Sequence, residues 1–172
     1  MTEKTKKNTP NNNLLNKLIE KKGCFGLQFR RDIRYERQNH PAYYRWKAQF
    51  IIVSNKNDEK NIKKIKNILN CGKIYSTENN IRYIVQKIDN LYNIVLPFLE
   101  KQNLSEKKKK ELNIWIKAVK IIYQYKGKNL TKWKKKDFQN LLKLSQLIEK
   151  KRNKSLRKRK WMLMAESIAK TL

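Results

Sequence analysis

The chain has 172 residues, with 43 Lys plus Arg against 14 Asp plus Glu and a formal net charge of +29. That length and its 39% hydrophobic residues allow one domain with short tails and one ordinary core, and the charge calls for a polyanionic partner, of which phosphate backbones are the usual kind. One histidine (His40), two distant cysteines (Cys24 and Cys71) and four glycines leave no four-ligand zinc site, no Cys–His nucleophile pair and no phosphate or dinucleotide loop.

No cofactor is expected on these counts. A membrane is not an expected partner either, because no apolar run is long enough to span a bilayer and no lipid-anchor motif is present.

Residues 1–11 read as a polar basic tail closed by Pro10, unlike a cleaved signal or an Arg-rich transit peptide. Leu14, Leu15, Leu18 and Ile19 then fall at helical spacing before the stop at Gly23. Residues 24–31 alternate, with Phe25, Leu27 and Phe29 inward, and predict a strand. Residues 32–42 read as a loop or strand extension. A second strand over 43–53 points Trp46, Ala48, Phe50 and Ile52 inward. Asn55 to Asp58 offers turn and capping chemistry for a helix ending near Asn70, with Ile62, Ile65, Ile68 and Leu69 as its stripe.

A short strand over 71–77 has Ile74 inward, Glu78-Asn79-Asn80 turns, and a strand over 81–86 has Ile81, Tyr83 and Val85 inward. A helix spans 88–100. Ser105 caps another to about 124, carrying Leu112, Trp115, Ile116, Val119 and Ile122. Thr131 is placed to cap the next, with Phe138, Leu141, Leu144 and Ile148 widened by Leu142 and Leu147. The last helix, about 156–170, carries Trp161, Leu163, Met164 and Ile168, with Trp161, Leu163 and Met164 as a small apolar patch suited to a protein.

The order is α-β-β-α-β-β-α followed by helices. The fold class expected is α+β, a four-stranded antiparallel sheet with helices on one face plus C-terminal helices. The organisation is a tail over 1–11, a domain over 12–150 and a basic helical extension over 151–172.

With helices on one side, alternation leaves Gln28, Arg30, Arg45, Lys47, Gln49, Lys73, Tyr75, Arg82 and Gln86 on the free face. Cations and amides with almost no carboxylates suit phosphates and base edges, where a merely solvated face is the alternative. Ile84 is out of keeping there. Two basic clusters stand apart. Lys107 to Lys110 is a run at a helix start, as compatible with solvent as with phosphate. The denser block of Lys150, Lys151 and Arg152 with Arg157, Lys158, Arg159 and Lys160 adjoins Trp161, which suits RNA through charge and stacking. A nuclear-localisation reading of that run is also open.

The string Leu15-Asn16-Lys17-Leu18-Ile19-Glu20-Lys21-Lys22-Gly23-Cys24-Phe25 resembles the motif helix of the LAGLIDADG homing endonuclease family. Phe50-x-Ile52, Asp58, Cys71-Gly72-Lys73-Ile74, Tyr83-x-Val85, Asp89-Asn90-Leu91, the segment Ile94 to Leu99, and Leu104-x-x-Lys107 with Trp115 follow in family order over roughly residues 14–150.

The resemblance implies a saddle-shaped sheet on nucleic acid, a motif helix packed against a second copy, and a divalent metal held by the acid just before the glycine. That position is Lys22, and the small positions of the helix contact are Asn16 and Lys17. A lysine neither ligates Mg²⁺ in its charged form nor buries without a partner. The expectation is a chain that has lost cleavage and keeps the sheet, with the usual homodimer in doubt.

The expected function is non-catalytic binding of structured RNA, as a component of an organellar, mitochondrial ribosome beside neighbouring ribosomal proteins. The Lys-, Asn- and Ile-rich, AT-biased composition suggests the organelle. Active homing endonuclease and group I intron maturase are the alternatives.

Overall fold

The computed structural model describes residues 10–150 and 159–172. Helix α1 (Pro10–Lys22) begins inside the expected tail, because proline at the first helical position gives up an N–H that would have no partner there. Leu15, Leu18 and Ile19 are its buried face. It runs straight into strand β1 (Gly23–Ile33). A Cβ at Gly23 would lie 2.4 Å from the Ile19 carbonyl oxygen, so only glycine permits this junction.

Strand β1 pairs antiparallel with β2 (Ala42–Asn55), in a register running from Gly23↔Ile52 to Ile33↔Ala42. Both strands are longer than the sequence suggested. A 3-10 turn (Lys56–Asp58) leads to α2 (Glu59–Leu69), which ends on Asn70 in the left-handed conformation (φ 46°). Its buried stripe is Ile62, Ile65 and Leu69; Ile68 points outward at 54% exposure, a correction to the expected stripe. Strands β3 (Lys73–Ser76) and β4 (Asn80–Val85) complete an antiparallel sheet in the order β1-β2-β4-β3.

The expected helix over 88–100 is three pieces: α3 (Ile88–Asn90), a π-helical segment (Leu91–Val95) and α4 (Leu96–Glu100). Pro97 has no N–H for the regular ladder, and a widened turn just before it accommodates the ring. Helix α5 (Glu106–Gln124) is capped as expected, the Ser105 hydroxyl accepting from Lys108 N at 3.2 Å.

Thr131 does not cap the next helix. It lies in a 3-10 turn (Leu130–Lys132), and α6 (Lys135–Lys150) starts later. The Tyr125 phenol explains the delay: it accepts from Lys134 N at 3.1 Å, and its ring stacks on Trp133 at 4.3 Å, holding residues 133–134 extended. Leu147 of α6 is exposed, also against expectation.

Helix α7 (Arg159–Thr171) packs on α6 and β1 through Met162, Ala165 and Ala169. The face expected to be apolar is therefore split: Leu163 and Met164 are exposed, while Trp161 sits near Tyr44, ring centroids 6.1 Å apart.

All the strands send one face into a single core. Phe25, Leu27, Phe29, Trp46, Phe50, Ile81 and Tyr83 meet Ile19 of α1, Trp115 and Val119 of α5, and Phe138 and Leu141 of α6. Among the described residues, no helix of this core packs on the other face. Among the described residues no helix is long and apolar enough to cross a membrane.

Candidate nucleic-acid interface

Register places the free-face residues in rows across the sheet. Arg30 lies opposite Arg45, Gln28 opposite Lys47, and Gly26 opposite Gln49. Farther along, Ile51 faces Ile84, Ile84 faces Lys73, Val53 faces Arg82, and Arg82 faces Tyr75. The nine side chains expected on this face therefore share it, with Gln86 just past the end of β4.

They are not equally presented. Arg45, Lys73, Tyr75, Arg82 and Gln86 are exposed, and Gln28, Arg30 and Lys47 are partly so. Gln49 is only 7% exposed. It lies across Gly26, where a Cβ would come within 2.6 Å of its Cγ, and its Oε1 accepts from Gln86 Nε2 at 3.3 Å. From beneath, the Trp115 indole N–H donates to the Gly26 carbonyl at 2.9 Å and fixes β1 at this point.

Ile84 pairs with Ile51; both are buried, outside the main core cluster, as an apolar spot within the basic face.

Sequence reading missed Asp32, because residues 32–42 were left outside the strands, and Tyr43, which opens the second strand but was assigned to neither face. Continuing the β1 alternation two residues past Arg30 places Asp32 on the open face. It ion-pairs with Arg30 Nε at 2.5 Å and with Arg45 Nε, and so spaces the two arginines. Tyr43, opposite Asp32, lies beneath the Arg34 guanidinium (4.7 Å to the ring centroid) and near that of Arg45. Burial, together with Arg30 and Arg45, holds the Lys47 ammonium below its usual range, with Asp32 pulling the other way. A phosphate arriving beside Lys47 would act against the two guanidiniums and favour its charged form.

The C-terminal end of α1 is tied to the start of α5. Glu20 accepts from the Ser105 hydroxyl at 2.5 Å and from Ser105 N at 3.1 Å. Burial pushes the Glu20 carboxyl up, but these two donors and the nearby Lys108 more than offset it and hold it below the ordinary range. The Lys108 ammonium donates to the Gly23 carbonyl at 2.6 Å and reaches Glu111 at 3.3 Å.

Lys22 is exposed at this helix end. A carboxylate engaged by two donors, a carbonyl engaged by an ammonium and an adjacent lysine do not fit a divalent cation, which needs free oxygen donors. Among the described residues no group of three or more His, Cys, Asp or Glu gathers as a metal site.

Of the separate basic clusters, Lys107, Lys109 and Lys110 are exposed, whereas Lys108 is the clamp just described. Lys150 is exposed at the end of α6. Lys151, Arg152, Arg157 and Lys158 lie outside the described residues, and Arg159 and Lys160 fall within α7.

Residues 18–119 match the family described as LAGLIDADG endonuclease. None of the curated proteins matches the chain. Among solved structures, the homing endonuclease I-TnaI is similar with a TM-score of 0.66 at 15% identity, covering 91% of this chain and 97% of that one. I-SmaMI bound to uncleaved DNA target with calcium gives 0.64 at 19% identity, covering 83% of this chain and 45% of its own. I-LtrWI bound to target DNA gives 0.61 at 20%, covering 78% and 43%. This chain thus spans nearly the whole of the first and under half of the other two. At these identities the likeness is one of fold.

Proposed function

On the premise that the chain belongs to the LAGLIDADG endonuclease family, we propose that it binds structured nucleic acid on the open face of its sheet without cutting it. The observation that carries the reading is the co-facial set Arg30, Arg45, Lys47, Lys73 and Arg82 with the amides Gln28, Gln49 and Gln86, on which Asp32 is the one carboxylate the strands supply. Cations at strand spacing meet phosphates, and amides and guanidiniums meet base edges. Loss of cleavage is supported by Lys22 at the place where the resemblance calls for a metal-binding acid, and by the donors that occupy Glu20 and the Gly23 carbonyl.

The ligand favoured is RNA, and the setting an organellar (mitochondrial) ribosome. The support is chemical and compositional: a charge of +29 on 172 residues, and a C-terminal block rich in Lys and Arg beside Trp161. A second reading, DNA cleavage as a homing endonuclease, is favoured by the similar structures I-SmaMI and I-LtrWI, which are described as bound to DNA.

Filter binding of the full chain to an RNA hairpin and to a DNA duplex, followed by incubation with Mg²⁺ or Mn²⁺, separates the two. Tighter RNA binding with no new strand ends supports the proposal. Metal-dependent double-strand cuts refute it. Sedimentation of source-organelle extract in low and high salt tests the ribosomal setting: persistence with ribosomal particles supports it, and a free protein at the top of the gradient removes it.

A further inference from the structure

The sheet face does not account for a cavity of about 930 Å³ beside it, at the upper end of the roughly 300–1,000 Å³ typical of ligand pockets. It opens where β2 outruns its neighbour: β4 pairs only with residues 50–55, so over residues 42–49 β2 has a strand partner on the β1 side alone. The segment after β4 and the loop over 126–133 close the cavity.

Its lining is strongly basic, with Arg34, Arg45, Lys47, Lys87, Lys126 and Lys128 against a single carboxylate, Asp89, which Lys126 Nζ already pairs at 2.5 Å. The lining is also aromatic. Tyr43 stands at the mouth shared with the sheet face. Trp133 forms part of the opposite wall, its ring stacked on Tyr125, which in turn lies under the Lys128 ammonium.

We infer that this cavity takes an unpaired nucleotide displaced from the strand held on the sheet face. The inference rests on the nucleic-acid reading of that face and extends it. Cations at the rim suit the flanking phosphates, ring faces suit a splayed base, and the open β2 edge offers unpaired backbone donors and acceptors to a base edge. Arg45 and Lys47 belong to both surfaces, so a strand tracking along β2 reaches the cavity without leaving the face.

The test uses two RNA hairpins, fully paired and with a single-nucleotide bulge carrying 4-thiouridine, and the full chain. The bulged hairpin is expected to bind about tenfold tighter, the scale of one base–aromatic stack, and to photocrosslink within residues 126–133 or at Tyr43. The double substitution Lys87→Ala/Lys128→Ala, at exposed positions off the sheet face, is expected to bring that ratio below about twofold while the paired hairpin still binds. Equal binding of the two hairpins, or bulge crosslinks confined to β3 and β4, overturns the cavity assignment and leaves the sheet face standing. Binding of neither hairpin removes both. Uridine monophosphate alone competing away the bulge advantage at micromolar concentration also overturns the inference, since the site is then one for free nucleotides.

Discussion

Replacing Lys47 by Gln is expected to strengthen the fold and weaken binding together. Lys47 follows Arg45 along the open face of β2, opposite Gln28 and diagonal to Arg30, and burial and those two guanidiniums depress its ammonium. Like charges across strands cost about 0.2–1 kcal/mol. Removing the charge should therefore raise Tm by about 0.4–4 °C, given ~2–4 °C per kcal/mol for a chain of this size.

The sign with pH follows from linkage. The native state holds this proton less tightly than the unfolded chain. The destabilisation is therefore fully present below the depressed native value and fades as pH rises towards the ordinary 10.5, so the Tm advantage of Lys47→Gln should shrink in alkali.

Binding moves the other way. One lost phosphate contact lowers the slope of log K against log salt by about 0.9 on duplex, which extrapolates to roughly fivefold weaker binding at 0.15 M salt. Thermal melts from pH 6 to 11 and a salt titration of hairpin binding read both effects. A Tm that falls, or a salt slope that does not change, refutes the placement of Lys47 as a strained, phosphate-facing cation.

Ser105→Ala removes the cap of α5 and a donor to Glu20, and should cost about 1–2 kcal/mol, read as a Tm drop of about 2–8 °C. The native Glu20 carboxyl lies below its ordinary value of 4.5, so its contribution is present above that value and is lost as pH falls through the native one. The gap between wild type and Ser105→Ala should thus narrow in melts below pH 4.5. Trp115→Phe leaves the buried Gly26 carbonyl without its donor and should cost about 1–3 kcal/mol in urea denaturation with an unchanged m-value. Gly26→Ala forces Gln49 off its seat on β1 and breaks the Gln49–Gln86 amide pair; hairpin affinity should fall several-fold, at most about tenfold, with a smaller effect on Tm.

Much of the fold is legible in local pattern. Period-two alternation sends Phe25, Leu27 and Phe29, and Trp46, Ala48, Phe50 and Ile52, to one side, so the other side of each strand follows without any knowledge of pairing. That is why the nine free-face residues could be named from sequence, and why α5 falls where its stripe and its Ser105 cap place it. Misplacements occur where a non-local contact overrides the local signal. Thr131 has cap chemistry, but Tyr125 ties down Lys134 and delays α6. Leu163 and Met164 read as an apolar face, but the alanines of α7 allow closer packing on α6 and β1.

By itself the sequence determined the chain's polyanion-seeking charge, its alternating strands, and a lysine at the end of the first helix where its family resemblance expects an acid. Only the tertiary structure decided which charges meet. Asp32 spans Arg30 and Arg45 because the β1–β2 register brings residues 13 apart together. Glu20 and Gly23 are engaged by Ser105 and Lys108 from 85 positions away. The cavity exists because β4 stops short along β2 and the loop over 126–133 folds across the gap. Such contacts depend on strand register and helix docking, which are set by the packing of the whole core, whereas period and composition are properties of each segment alone.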